Sequence, residues 1–112
     1  QDLQGFSHGE AYLKIMNDTI TGSGIFLLDE PEAALSPSKQ LSLLYFIQEH
    51  LKSHMSQFII ATHSPMLMAF PGATIYEVTD NGMDKDSLEE TEHYTVTKSF
   101  LNNPEGYLRF LK

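Results

Sequence analysis

The chain has 112 residues, no cysteine and a formal net charge of −8 at pH 7. This length suits one small domain, and the lack of cysteine excludes disulfides and thiolate metal sites. The 15 acidic side chains outnumber the 7 basic ones, which argues against a nucleic-acid grip by this segment itself. No apolar run approaches the ~20 residues of a membrane span and no signal peptide is visible. We therefore expect a cytoplasmic protein without direct membrane insertion.

The first predicted element is a helix over residues 9–20. Leu13, Met16 and Ile20 recur at three- and four-residue spacing and so fall on one helix face. Ser7 precedes this segment and is expected to cap it. A turn rich in glycine and serine then ends the helix.

A strand, a helix and a second strand are predicted next. Ile25–Leu28 is a short apolar run that reads as a strand buried on both faces, and Phe58–Ala61 repeats the pattern. Ser36-Pro37 opens the intervening helix, with Ser as the cap and Pro at the first position. This order predicts a βαβ unit with parallel strands, followed by a short helix near Ser64-Pro65. The inner stripe of the long helix is predicted to comprise Leu41, Leu44, Ile47 and Leu51.

The remaining third of the chain predicts a hairpin and two helices. Thr74–Thr79 alternates like a strand, and Asp80-Asn81-Gly82 is a strong turn signal. The acidic stretch Asp84–Glu92 is expected to be exposed. Helical segments are predicted near Val96–Leu101 and Pro104–Leu111. The predicted fold is thus α/β: a parallel sheet with flanking helices, then a small β-hairpin and C-terminal helices.

A pair of carboxylates follows the first buried strand. Open parallel sheets bind ligands just beyond the carboxyl ends of their strands, where Asp29 and Glu30 are expected to lie. Asp29 suits a Mg²⁺ ion held through water, and Glu30 suits the orientation or deprotonation of an attacking water. An isolated Asp-Glu pair is more often a solvated loop. Here the apolar run before it and Pro31 after it favour the functional interpretation.

A histidine stands just beyond the second strand. If the strands are parallel neighbours, His63 lies at the same sheet edge as the acid pair and can contact a γ-phosphate. Alone, such a histidine is more often structural. His50 and His54 are spaced i, i+4 on a helix, but without a third ligand they indicate a solvated face rather than a metal site.

The residues before the first helix form a possible anion site. A Ser7 hydroxyl, the backbone N–H of Gly9 and a helix N-terminus together suit a phosphate. Gly9 would let the backbone approach closely. On these residues alone an ordinary serine-capped helix is the stronger interpretation.

Taken in order, these segments resemble ABC-type ATPases. Phe6–Glu10 resembles a degenerate signature motif, usually LSGGQ, and Ile25–Glu30 resembles Walker B with its catalytic glutamate. Ala34–Pro37 lies where the D-loop is expected, and His63 matches the H-loop histidine. The run Asp29–Pro37 and the tail over residues 90–105 are similar to soluble bacterial "predicted ATPases" of AAA/ABC type, related to SMC-like ATPases.

The resemblance implies a function and a role for each motif. Residues 1–112 would be the C-terminal part of one P-loop NTPase-like domain that hydrolyses ATP with Mg²⁺. Two subunits would close as a homodimer around two ATP molecules, with nucleic acid or an effector protein as possible partners of segments beyond this chain. The implied site residues are Asp29 for Mg²⁺ through water, Glu30 and His63 for catalysis, Ser7, Gly9 and Glu10 for the ATP of the opposing subunit, and Ser36 in the D-loop.

The chain departs from the family pattern at several positions. His8 and Glu10 replace Gly and Gln of the signature, and Ser36 replaces the usual D-loop Asp. The chain contains no G-x-x-x-x-G-K-[ST] sequence. This sequence forms the P-loop, which makes the main contacts with the phosphates of the nucleotide. We expect residues before Gln1 to carry it. The isolated chain is then expected neither to bind ATP tightly nor to hydrolyse it.

Three other functions fit part of the pattern. The chain could serve as the ATP-binding subunit of an ABC transporter, or as a dimerisation or regulatory module that kept the fold without the chemistry. A carboxylate-metal nuclease would use Asp29, Glu30 and Glu32. That last function needs more converging acids than one strand end offers.

Overall fold

The structure, a computed structural model, describes residues 8–110 of the chain. It divides into two compact units, Gln1–Leu67 and Met68–Lys112. The first unit contains the βαβ arrangement and the second contains a hairpin with two helices. Within residues 8–110 no helix has the length and apolar character that a membrane crossing requires.

The first unit alternates helices and strands in the predicted order. Each α-helix or β-strand begins and ends close to its predicted position, and a short 3₁₀ helix follows the first strand. The elements are α1 (His8–Thr19), β1 (Ile25–Asp29), the 3₁₀ helix (Pro31–Ala34), α2 (Pro37–Ser53), β2 (Gln57–Ala61) and α3 (Pro65–Met68), whose last residue belongs to the second unit.

The two strands of the first unit form a parallel sheet. Phe26 lies opposite Phe58, and Asp29 lies opposite Ala61. The backbone N–H of Glu30 donates to the carbonyl of Ala61 at 2.7 Å, which extends the pairing one residue beyond β1. The prediction of a βαβ unit with parallel neighbouring strands is therefore confirmed.

One face of this sheet is covered and the other is exposed. The rings of Phe26 and Phe58 contact the His50 ring on α2 at centroid distances of 5.6 and 5.5 Å. On the opposite face Ile25 and Leu27 remain 68% and 74% exposed. The prediction of a first strand buried on both faces is therefore wrong, because the helices of the described residues cover only one side. The buried apolar side chains are Met16, Ile20, Leu35, Leu43, Ile47 and Leu67.

Helix α2 packs through a stripe that differs from the predicted one. Leu43, Ile47 and His50 are buried, whereas Leu41 and Leu51 are 57% and 37% exposed. Only Ile47 belongs to both stripes. Apolar residues run right around this helix between positions 41 and 47, so spacing alone leaves the phase open. Contact with the aromatic face of the sheet selects the observed phase.

The second unit contains the predicted hairpin and helices. Strands β3 (Ile75–Thr79) and β4 (Gly82–Asp86) pair antiparallel, and Gly82 has a φ of 120° at the turn, which glycine adopts readily. The acidic stretch Asp84–Glu92 was predicted to be exposed, and this is wrong at Thr91, which is 3% exposed and accepts a hydrogen bond from the Tyr94 N–H. The other elements are a 3₁₀ helix (Leu88–Glu90), α4 (Glu92–Asn102) and α5 (Pro104–Phe110).

Candidate functional site

The acid pair and the histidine come together at one edge of the parallel sheet. Asp29 ends β1, Glu30 follows it, and His63 stands two residues after the end of β2. Because Asp29 lies opposite Ala61, the carboxyl ends of both strands reach the same edge. All three side chains are exposed. This arrangement is the one that ligand sites of open parallel sheets use.

Asp29 presents its carboxylate on the uncovered face of the sheet. Side chains alternate between faces along a strand, and the exposed positions of β1 are Ile25, Leu27 and Asp29. A hydrated Mg²⁺ keeps several of its waters and takes one or two carboxylates, so an exposed carboxylate at a rigid strand end suits it. Among residues 8–110 no group of three or more metal-ligating side chains converges. A metal held by Asp29 would therefore need its remaining ligands from other sources, such as water.

Glu30 has a backbone conformation that is rare for a residue with a side chain. Its φ of 46° and ψ of 56° lie in the left-handed region, and it is the one non-glycine residue with positive φ among those the structure describes. Its carbonyl accepts a hydrogen bond from the Ala33 N–H at 3.1 Å. Such residues cost about 1–3 kcal/mol and cluster at active sites. The strand therefore passes into the 3₁₀ helix through a left-handed residue, the one expected to activate water.

Glu32 connects this turn to the end of the second strand. The Thr62 hydroxyl donates to its Oε1 at 2.7 Å, and the backbone N–H of His63 donates to its Oε2 at 2.8 Å. Both carboxylate oxygens of Glu32 therefore accept hydrogen bonds from the segment that carries His63. Since these oxygens are occupied, Glu32 is poorly suited to be the third metal ligand that a nuclease would need.

The same contacts set the ionisation of Glu32. Partial burial acts to raise the pKa of its carboxyl group. The hydrogen bonds from Thr62 and from the His63 backbone, together with the nearby His63 ring, outweigh burial and hold the pKa below its ordinary value. Glu32 is therefore an ionised acceptor at neutral pH. Burial, and then the charge of Glu32, raise the pKa of Tyr12 on α1.

A second set of hydrogen bonds continues from Thr62 to helix α2. The Thr62 hydroxyl accepts from the Ser64 N–H at 2.9 Å, and the Ser64 hydroxyl donates to Oε1 of Gln40 at 2.6 Å. The Gln40 side-chain amide donates to the carbonyl of Leu35 at 3.4 Å. The Ser64 hydroxyl also accepts from the Leu67 N–H at 3.3 Å, at the start of α3. The segment after β2 is thus bonded both to the 3₁₀ helix that follows β1 and to helix α2.

Gly9 is buried at the start of α1 and packs against the segment before α2. A Cβ atom at this position would lie 2.8 Å from the carbonyl oxygen of Ala34 and 2.8 Å from Cδ of Lys39. Glycine therefore permits a close approach of two backbone segments. Ser7 lies outside the described residues, and Glu10 is exposed on the first turn of α1. The predicted contacts of these three residues with a second subunit's ATP stay predictions.

Ser36 caps helix α2, as its sequence position predicts. Its hydroxyl oxygen accepts a hydrogen bond from the Lys39 N–H at 3.3 Å, and Pro37 occupies the first helical position. The side chain is exposed. Its proposed D-loop role stays a prediction.

The histidine pair at the C-terminal end of α2 is one feature that sequence reasoning missed. His50 is only 7% exposed, its Nε2 lies 3.0 Å from Oγ of Ser56, and its ring stacks on His54 at 4.1 Å. The predicted solvated face is thus wrong for His50. Burial, and then the neighbouring His54, lower the pKa of His50. Ser56 directly precedes β2, so this cluster lies at the sheet end opposite Glu30. The aromatic residues Phe26 and Phe58 on the two strands could have indicated this burial, because their rings form the surface that contacts the His50 ring.

Comparison with known proteins supports a P-loop ATPase-like domain. Residues 15–69 match a family described as "AAA domain, putative AbiEii toxin, Type IV TA system". The matched range contains Asp29, Glu30 and His63, together with both strands of the parallel sheet. It supports nucleotide binding, and it does not single out the ABC or the SMC branch. No curated protein matches the chain.

Proposed function

We propose that this chain is the C-terminal part of an ABC-type ATPase domain that hydrolyses ATP with Glu30, Asp29 and His63. The observation that carries the proposal is the meeting of these side chains at one edge of the parallel sheet, with Glu30 in the left-handed region. The family match over residues 15–69 supports the broader class of P-loop ATPase-like domains. Two carboxylates and an imidazole at this edge suit the hydrolysis of a phosphoanhydride by water.

Each side chain has a role that follows from its position. Asp29 holds Mg²⁺ through water on the open face of the sheet, and the metal neutralises charge on the phosphates. Glu30 orients the attacking water and accepts its proton. His63 contacts the γ-phosphate and helps to fix the position of the water. The reaction is therefore assigned to positioning and charge stabilisation rather than to covalent catalysis.

The proposed site needs groups that residues 1–112 do not contain. No phosphate-binding loop sequence of the Walker A type occurs in the chain. We propose that a segment outside these residues supplies it, and that Ser7, Gly9 and Glu10 contact ATP held by a second subunit. ATP would then close a homodimer, and hydrolysis would open it. Segments beyond this chain would pass that motion to a nucleic acid or an effector protein.

The test uses a polypeptide that carries a Walker A segment together with this chain. Glu30→Gln is expected to lower the ATP turnover about 100- to 10,000-fold, the usual range for loss of a general base. The variant should also accumulate as a dimer with ATP but not with ADP, measured by light scattering. Glu89→Gln, which changes an exposed glutamate of the second unit, is the matched control.

Three results would each contradict the proposal. The first is an unchanged turnover in the Glu30→Gln variant. The second is a dimer that forms equally well without nucleotide in a protein without turnover, which would indicate a non-catalytic dimerisation module. The third is stable co-purification with a membrane subunit, which would indicate a transporter ATPase and contradict the proposed transfer of motion to a nucleic acid or an effector protein.

A further inference from the structure

We infer that Glu32 is the positioning residue that fixes His63 relative to Glu30. This inference rests on the proposed function for its catalytic consequence, but its structural content can be measured separately. Glu32 lies two residues after Glu30, in the 3₁₀ helix Pro31–Ala34, and its carboxylate reaches across to the segment after β2.

Glu32 connects the two segments just beyond the last backbone hydrogen bond of the sheet. Backbone pairing between the strands ends with the Glu30 N–H bonded to the Ala61 carbonyl. Beyond that point the His63 N–H donates to Oε2 of Glu32 at 2.8 Å, and the Thr62 hydroxyl donates to Oε1 at 2.7 Å. The carboxylate thus holds the segment after β2 with two bonds where the regular pairing no longer does. Bonds to an ionised acceptor are stronger than those between neutral groups.

An ionised carboxylate is the group that this position requires. Both partners of Glu32 are donors, so its two oxygens must both act as acceptors. A Gln side chain offers one acceptor and one NH₂ group, so either the His63 N–H loses its acceptor or the Thr62 hydroxyl, which already accepts from the Ser64 N–H, must turn to accept a second bond. An Asp side chain is one methylene shorter and cannot span both bonds without a backbone shift. Conservative substitution of Glu32 is therefore expected to release His63 or Thr62.

A positioning role explains why Glu32 does not itself act on water. Its oxygens are occupied by Thr62 and His63, whereas the Glu30 carboxylate is exposed at the sheet edge. Release of the His63 segment would displace its imidazole from the γ-phosphate. Misplacement by about 1 Å can cost about 100-fold in rate. ATP binding, which depends mainly on the phosphate-binding loop, should change much less.

The first test is spectroscopic and uses the 112-residue chain. In the parent chain, the His63 backbone amide resonance should titrate with the Glu32 carboxyl group, whose pKa lies below its ordinary value. In Glu32→Gln that titration should disappear, and the amide should exchange with solvent at least 10-fold faster. An amide resonance that keeps its titration and protection in Glu32→Gln would overturn the inference.

The second test measures catalysis in the polypeptide that also carries Walker A. Glu32→Gln should lower kcat about 10- to 100-fold, while KM for ATP stays within threefold. Thr62→Val removes one of the two bonds and should give a smaller loss, whereas Thr62→Ser keeps the hydroxyl and should restore kcat. The Thr62 pair keeps the inference testable if Glu32→Gln fails to fold. Equal kcat for Thr62→Val and Thr62→Ser would count against a positioning role.

The two proposals fail in different ways. If Glu30→Gln leaves turnover unchanged while the His63 amide still responds to Glu32→Gln, the ATPase assignment is wrong and the structural link stands. If Glu30→Gln abolishes turnover while Glu32→Gln leaves kcat unchanged, the ATPase assignment stands and the positioning role is wrong.

Discussion

The left-handed backbone of Glu30 predicts that its replacement by glycine makes the protein more stable. A side chain in this region costs roughly 1–2 kcal/mol through contact of its Cβ with the backbone. Glycine removes that cost, but it adds about 0.4–1 kcal/mol of conformational entropy to the unfolded chain. Because the Glu30 side chain is exposed, its removal sacrifices little packing. The net gain expected for Glu30→Gly is about 0.5–1 kcal/mol.

The measurement is urea unfolding of the 112-residue chain followed by circular dichroism. With a slope of about 1 kcal/mol per molar urea, typical of a small protein, the midpoint should rise by roughly 0.5–1 M. Glu30→Ala is the matched control, since it also removes the carboxylate but keeps the Cβ. Its midpoint should stay close to that of the parent chain. If Glu30→Gly is no more stable than Glu30→Ala, the backbone at this position is not strained.

Two further predictions concern packing and pH. Gly9→Ala should lower the free energy of unfolding by about 1–3 kcal/mol, because the new Cβ meets a backbone oxygen. In the control Gly22→Ala the new Cβ meets nothing within 4 Å, so the free energy of unfolding should change little. Equal urea midpoints for the two variants would refute this prediction. Since burial lowers the pKa of His50 in the folded state, its contribution to stability is present above about pH 6.5, the unfolded value, and is lost as the pH falls below it. Midpoints measured from pH 7.5 to 5 should fall less steeply in His50→Gln, while His8→Gln, at an exposed position, should follow the parent chain.

The sequence predicted the elements that the candidate site depends on. Two apolar runs, each ended by polar residues and separated by a capped helix, define a βαβ unit without further information. Parallel pairing then brings Asp29, Glu30 and His63 to one edge. The turn signal Asp80-Asn81-Gly82 similarly fixed the hairpin of the second unit. In each case the pattern within each element was sufficient, together with the order and spacing of the elements along the chain.

The features that sequence reasoning missed depend on distant contacts. Glu32 and Thr62 are thirty positions apart, and no local pattern reveals that one carboxylate binds two successive residues there. The burial of His50 depends on which face of an evenly apolar helix meets the sheet. The exposed face of β1 was also missed, because an apolar strand reads the same whether or not a second layer covers it. Periodicity describes a single helix or strand, whereas these features depend on the contact between two of them.

The two-stranded sheet of the first unit has a consequence for the behaviour of the chain in solution. Among residues 8–110 this sheet contains only β1 and β2, so each strand leaves one row of backbone N–H and C=O groups without a neighbouring strand there, and the side chains of Leu27 and Ile59 are exposed to water. Open edges of this kind template the addition of further strands. Self-association should therefore increase with protein concentration, so that the monomer predominates only in dilute solution.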